Sequence, residues 1–209
     1  MSRKPFRRVG DAERRADLIK AMLDCIAEGG LQHATVREVA ERAGVSGGLI
    51  RHYFETKEQL LHAAYQSTMA EMLDIGAAAE EAGEGEPRRR LRNFVIACLT
   101  PPMIDARRLS LWAAFVAMAR IDPAMGAIHR ENYLAYRALI ERLLAVAYEA
   151  EGRPAAPDRL ALLAIEINAV LDGLWLEGSL AADLFENDEL LKAGLHATEA
   201  ITGLRLDDE

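Results

Sequence analysis

The side chains of this chain that could do chemistry fall into two sets, and neither has the make-up of a catalytic centre. The first is compact and polar: Ser46, Gly47, Gly48, Leu49, Arg51, His52, Tyr53 and Lys57, with Thr35, Val36 and Arg37 just ahead. Arg51 carries the fork that can bond guanine O6 and N7, while Arg37 and Lys57 carry charges suited to phosphate. The Gly pair lets a backbone come close to another one. Arg51 serves a phosphate equally well, and Tyr53 can bury its ring in a core while its hydroxyl reaches outward. The second set is aromatic with one acid: Trp112, Phe115, Tyr136, Asp172 and Trp175. Tryptophan and tyrosine faces beside a carboxylate suit a quaternary ammonium, through cation–π attraction and charge. Large aromatics at helical spacing also serve as core. An Ala/Leu/Met lining would take a fatty acyl, aromatic or drug-like compound as readily.

The elements that must position the first set are legible. Thr35 and Glu38 make a T-x-x-E capping box, so a helix starts there. Val36, Val39, Ala40 and Ala43 repeat at helical spacing and form its apolar face. Gly44 supplies the left-handed cap that ends it. Ser46 can cap a second helix, with Leu49, Ile50 and Tyr53 as its buried stripe. Thr56 and Gln59 make a further capping box. Helix, Gly-containing turn, helix is the DNA-binding helix-turn-helix pattern.

The run from Ala34 to Lys57, ATVREVAERAGVSGGLIRHYFETK, resembles the operator-binding segment of the TetR family of bacterial repressors. Family members typically carry Thr-Leu-Tyr-His-Tyr-Phe where this chain has Leu49-Ile50-Arg51-His52-Tyr53-Phe54. The departures at Leu49 and Arg51 bear on which operator is read. LWAAFVAMAR and DGLWLEGSL are similar to segments of the choline-responsive, BetI-like subgroup. The resemblance implies an all-α protein: a three-helix domain over residues 1–56 that binds DNA, then a helical bundle over 57–209. That bundle would bind a ligand and dimerise. It further implies a homodimeric repressor on a palindromic operator, released by choline or a related quaternary amine. The alternative is a TetR-type regulator of an efflux or catabolic operon that answers a hydrophobic effector.

The rest of the chain reads as helices. Asp11 is expected to cap a first helix over about 12–28, ended by Gly29-Gly30. A long helix starts at Lys57 and runs towards about 80, and residues 82–87, AGEGEP, form a linker. Pro87 opens the next helix, whose Arg88, Arg89, Arg90 and Arg92 read as one solvated face. Asp105 and Asp122-Pro123 open two more. The last two helices cover about 157–182 and 187–203, and the first of these is apolar nearly all round. Such a helix needs more than one packing partner, so Ile165, Ile167, Val170, Leu171 and Leu174, with residues 188–203, are expected at a dimer interface. Arg3, Lys4, Arg7 and Arg8 could reach DNA as a mobile basic arm.

Composition sets bounds. The 209 residues carry a net charge of −8. Residues 1–62 hold 11 Lys+Arg against 9 Asp+Glu, which leaves 14 and 24 of the chain totals of 25 and 33 for the remainder. The basic excess therefore sits with the helix-turn-helix, where it matters for DNA. Cys25 and Cys98 lie in apolar contexts and read as buried thiols, and the five histidines show no metal-ligand spacing. No nucleophile elbow, phosphate loop or H-E-x-x-H motif is present, so no enzyme activity, cofactor or metal is expected. No signal peptide or membrane span is read, so a cytoplasmic protein is expected.

Overall fold

Left-handed glycines and side-chain caps set several of the helix ends in the computed structural model, which describes residues 10–81, 86–186 and 188–206. The basic arm and most of the 82–87 linker lie outside them. The described residues form nine α-helices and a short 3-10 turn at Ala182–Leu184. Helix α1 is Asp11–His33, α2 Val36–Arg42, α3 Gly47–Tyr53 and α4 Lys57–Glu81. Helix α5 is Pro87–Cys98, α6 Ala106–Ala119, α7 Pro123–Ala150, α8 Pro157–Leu180 and α9 Glu189–Thr202. The fold is all-α, as the composition and periodicity lead one to expect. None of the described helices is long and apolar enough to cross a membrane.

Several caps stand where the sequence puts them. Asp105 accepts from Arg108 N at 3.0 Å, and Asp122 accepts from Ala124 N at 2.8 Å with Pro123 at the first helical position. Asp11 is different. Gly10 occupies the cap position of α1 without a side-chain bond, and the Asp11 carboxylate instead accepts from the Tyr53 hydroxyl at 2.9 Å. Helix α1 also extends to His33, but Gly30 (φ 73°, ψ −178°) interrupts its helical path. Leu31 past that kink packs against the core below it.

Two large cores share the molecule. One holds Leu18, Met22 and Ile26 of α1, Val39 of α2, Ile50 of α3 and Leu60 and Tyr65 of α4. It runs on into α6 and α7 through Leu111, Phe115 and Met125. The other joins α5, α7 and α8 through residues such as Phe94, Ile140, Leu144 and Ile167. Met103, Leu109 and Trp175 form a small third cluster, with Ile104 packed against both it and the second core. Helix α4 packs on α1, α5, α6 and α7 alike, so it physically joins the helix-turn-helix to the bundle.

The expected interface list needs correction. Ile167 and Leu171 are buried within the subunit and Leu174 packs on the same core, because α8 turns that row towards α7. Of the expected residues, Ile165 is exposed. It belongs to another row, with Leu162, Ala169, Gly173, Leu176 and Leu180, all exposed in the single chain. Their spacing of three and four residues lines one face of α8.

Candidate functional site

The helix-turn-helix is built by local hydrogen bonds. Thr35 Oγ1 accepts from Glu38 N at 3.2 Å and Ser46 Oγ from Leu49 N at 3.3 Å, so both hydroxyls cap their helices. Gly44 takes φ 65°, and Val45 N bonds back to Ala40 O at 2.9 Å, which closes the turn. Ile50, 1% exposed, pins α3 into the core, and half-buried Val36, Leu49 and Tyr53 flank it. Gly48, Arg51 and His52 then share the opposite, exposed face at spacings of three and four. Arg37 is exposed on α2, and Lys57 is half-buried at the start of α4.

Two details qualify the sequence reading. The Tyr53 ring packs on the core and its hydroxyl donates to Asp11, a bond that raises the tyrosine pKa. Its hydroxyl is thus engaged inside the chain. A Cβ on Gly47 would lie 3.7 Å from the nearest side-chain atom, on Val36, and one on Gly48 would lie 3.7 Å from Ser46 Oγ. Both are ordinary contacts, so the packing of this chain does not itself demand glycine at either position.

Four of the five aromatic and acidic candidates meet. Trp112 of α6, Tyr136 of α7 and Asp172 and Trp175 of α8 line one cavity of about 160 Å³. The indoles of Trp112 and Trp175 meet edge to face, centroids 5.4 Å apart at 79°. Trp175 Nε1 donates to Met103 O at 2.9 Å, which fixes its ring. The Tyr136 hydroxyl and Cys98 Sγ are hydrogen-bonded at 2.9 Å. Burial pushes the Cys98 thiol up to about 12, so it is protonated at neutral pH. Asp172 Oδ2 accepts from Asn168 Nδ2 at 2.8 Å. The residue is open to solvent on its outer side, yet enough protein surrounds the carboxyl for desolvation to raise its pKa; the Asn168 bond opposes that.

Phe115 is not with them. It has no exposed surface and stacks on Tyr65 at 4.7 Å in the first core. Helix α6 lies between the cavity and that core, so Trp112 and Val116 face one side while Leu111 and Phe115 face the other. The structure adds polar wall residues beyond the five candidates: His129, Asn132, Tyr133 and Asn168. Asn168 carried a usable signal. It is a polar residue inside the most apolar helix, four before Asp172, where helix neighbours meet. His129 carried none, because a lone histidine on a helix has many ordinary uses.

Comparison with known proteins gives the family. Residues 87–203 match the family described as BetI-type transcriptional repressor, C-terminal, and residues 18–64 match bacterial regulatory proteins of the tetR family. The HTH-type transcriptional regulator BetI of Burkholderia thailandensis is 34% identical over 179 residues, 86% of this chain and 88% of that protein. Its counterpart in Burkholderia cenocepacia is also 34% identical, covering 86% and 89%. A Pseudomonas aeruginosa structure described as a transcriptional regulator superposes with TM-score 0.84 at 31% identity, over 94% of this chain and 93% of that one. A Saccharomonospora viridis structure solved in complex with choline shares the fold, with TM-score 0.70 at 20% identity over 91% and 96%. The chain belongs to the TetR family of transcriptional regulators, in its BetI-type branch.

Proposed function

We propose that this regulator is a cytoplasmic homodimeric repressor whose operator affinity falls when a small quaternary ammonium compound, choline or a close relative, enters the cavity. Residues 1–56 act as the DNA-binding unit and 57–209 as the ligand-binding and dimerisation unit. The observation that carries the effector reading is the paired indoles of Trp112 and Trp175 in one cavity with Asp172. A tetraalkylated nitrogen donates no hydrogen bond, so aromatic faces and a nearby negative charge are what can hold it. The Saccharomonospora viridis neighbour holds choline on the same fold, which supports the class of ligand.

For DNA, the exposed face of Gly48, Arg51 and His52 enters the major groove, with Thr35, Val36, Arg37, Ser46, Gly47, Leu49, Tyr53 and Lys57 around it. The room above Gly47 and Gly48 supports this reading, because a nearby phosphate backbone gives a reason for glycine that the chain's own packing does not. Two subunits related by a two-fold axis present their α3 helices about one DNA turn, ~34–36 Å, apart. The exposed apolar row of α8 supplies a surface for that pairing.

Tryptophan fluorescence titrated with choline, betaine aldehyde and betaine tests the effector, alongside operator release in a gel shift. Saturable quenching by a trimethylammonium compound, lost in Trp112→Ala, supports the assignment. A response to long-chain or aromatic compounds alone would transfer it to the hydrophobic class, which the Met69, Met72 and Met103 side chains of the lining would suit.

A further inference from the structure

Tyr65 is a buried polar side chain that neither faces DNA nor lines the cavity. It sits on α4 with no exposed surface. Its ring stacks on Phe115 at 4.7 Å, within the core that also holds Leu18, Val39 and Ile50. Its hydroxyl meets His129 Nδ1 on α7 at 2.7 Å. His129 forms part of the cavity wall and stacks on Tyr133, with centroids 5.8 Å apart at 19°. The Tyr133 hydroxyl accepts from Asn168 Nδ2 at 3.1 Å, and the same amide donates to Asp172 at 2.8 Å. An unbroken series of contacts therefore runs from the cavity's carboxylate to the core beneath the recognition helix.

We propose that the Tyr65–His129 hydrogen bond is the joint through which occupation of the cavity is felt by the DNA-binding helices. This deepens the regulator reading above and rests on it. Burial raises Tyr65 to about 12 and lowers His129, so at neutral pH the phenol keeps its proton and donates it to Nδ1. A ligand in the cavity presses on the His129 ring because that ring is wall. Hydrogen bonds weaken steeply once bent, so the joint is made or broken rather than gradually stretched. A broken joint leaves a buried hydroxyl unpaired, and that cost favours movement of Tyr65 with its partner. The Tyr65 ring stacks on Phe115 of α6 within the core that α1 residues also line, so its movement shifts α4 against the core of the helix-turn-helix. Tyr65 and His129 are thus positioning residues for operator binding.

A double-mutant cycle with Tyr65→Phe and His129→Phe tests this, because both changes keep a ring in place and remove the bond. Operator affinity is measured on a duplex selected from random-sequence DNA by the wild type, with and without choline chloride. Each single change shifts operator affinity by ~2- to 10-fold, the net worth of one hydrogen bond, and the double change shifts it no further. Tyr65 does not touch the cavity, so Tyr65→Phe still binds choline by tryptophan fluorescence, yet its choline-induced release is several-fold weaker. A merely structural role would lower the melting temperature and leave the ratio of operator affinities with and without choline as in the wild type. Additive or absent shifts in the cycle overturn the proposal, as does a normal choline response in Tyr65→Phe. Should choline leave the wild type unaffected, the effector assignment fails; the same ratio is then read with a long-chain or aromatic compound that releases the operator, and a wild-type ratio in Tyr65→Phe overturns the joint.

Discussion

Asp172 stands on α8 between the exposed row and the cavity-facing residues Asn168, Leu171 and Trp175. Its raised pKa has a consequence with a definite sign. Choline keeps its charge at every pH, so proton linkage comes from the protein. The carboxylate favours the cation and the carboxylic acid does not. Choline affinity is therefore expected to hold above the raised Asp172 pKa and to fall as pH drops through it. Asp172→Asn should be weaker by roughly 1–2 kcal/mol at neutral pH and nearly flat in pH, as calorimetry from pH 4 to 8 would read. A pH-independent wild type would remove Asp172 from ligand binding. Arg51 poses the matching question for DNA. If it reads a guanine, Arg51→Ala costs ~1–3 kcal/mol on the selected operator and less on a base-swapped one. Equal losses on both duplexes assign it to phosphate.

Helix ends and close crossings decide how firmly these residues are held. Ser46→Ala removes the cap of α3, a seven-residue helix, and should destabilise the protein by ~1 kcal/mol in thermal melts. If α3 enters the major groove, operator affinity should drop with it, since the cap sets the start of that helix. Helix α9 crosses α5 at Gly194, where a Cβ would come within 2.2 Å of Leu99 Cδ1. Gly194→Val should therefore cost ~1–3 kcal/mol through overpacking, and a melt unchanged from wild type would contradict that close crossing. Helix α4 is tied to α7 from both ends of a short stretch. His62 Nε2 meets Asp122 Oδ2 at 2.8 Å, a bond that lowers the Asp122 pKa, and Tyr65 meets His129 one turn further on. Ion pairs of Arg42 with Glu28 and of Arg107 with Asp24 fasten α2 and α6 to α1.

Across the whole molecule, the exposed row of α8 is the largest departure from a self-sufficient subunit. Leu162 is 52% exposed and Leu180 69%, on a helix whose other apolar row, Leu163, Ile167 and Leu171, is buried. If a second copy covers this row, Leu176→Arg places a charge in the middle of it. The variant should stay helical by circular dichroism, run as a monomer in light scattering and lose most operator binding. A wild type that is itself monomeric at micromolar concentration would sink the dimer mechanism, because one half-site offers too few contacts.

The helix-turn-helix could be read from sequence because its signals are local. Thr35, Gly44, Ser46 and Thr56 act on backbone groups within four residues, and apolar spacing shows which face turns inward. Pro87 and Asp122-Pro123 mark helix starts for the same reason. Asp11 misled, since its acceptor role was settled by Tyr53, a residue 42 positions away. Trp112 and Phe115 share a helical side in sequence, yet α6 divides two cores and sends one residue to each. Ile167 and Ile165 are equally apolar, and their fates depend on where α7 lies against α8. Tyr65 meets His129, and Asn168 meets Tyr133, across helices, 64 and 35 positions apart, at spacings that no local pattern encodes. Capping and periodicity are properties of a few neighbouring residues, so the elements and the helix-turn-helix could be read locally. Which side of each helix meets a cavity, a core or solvent depends on helix-to-helix packing, which long-range contacts set.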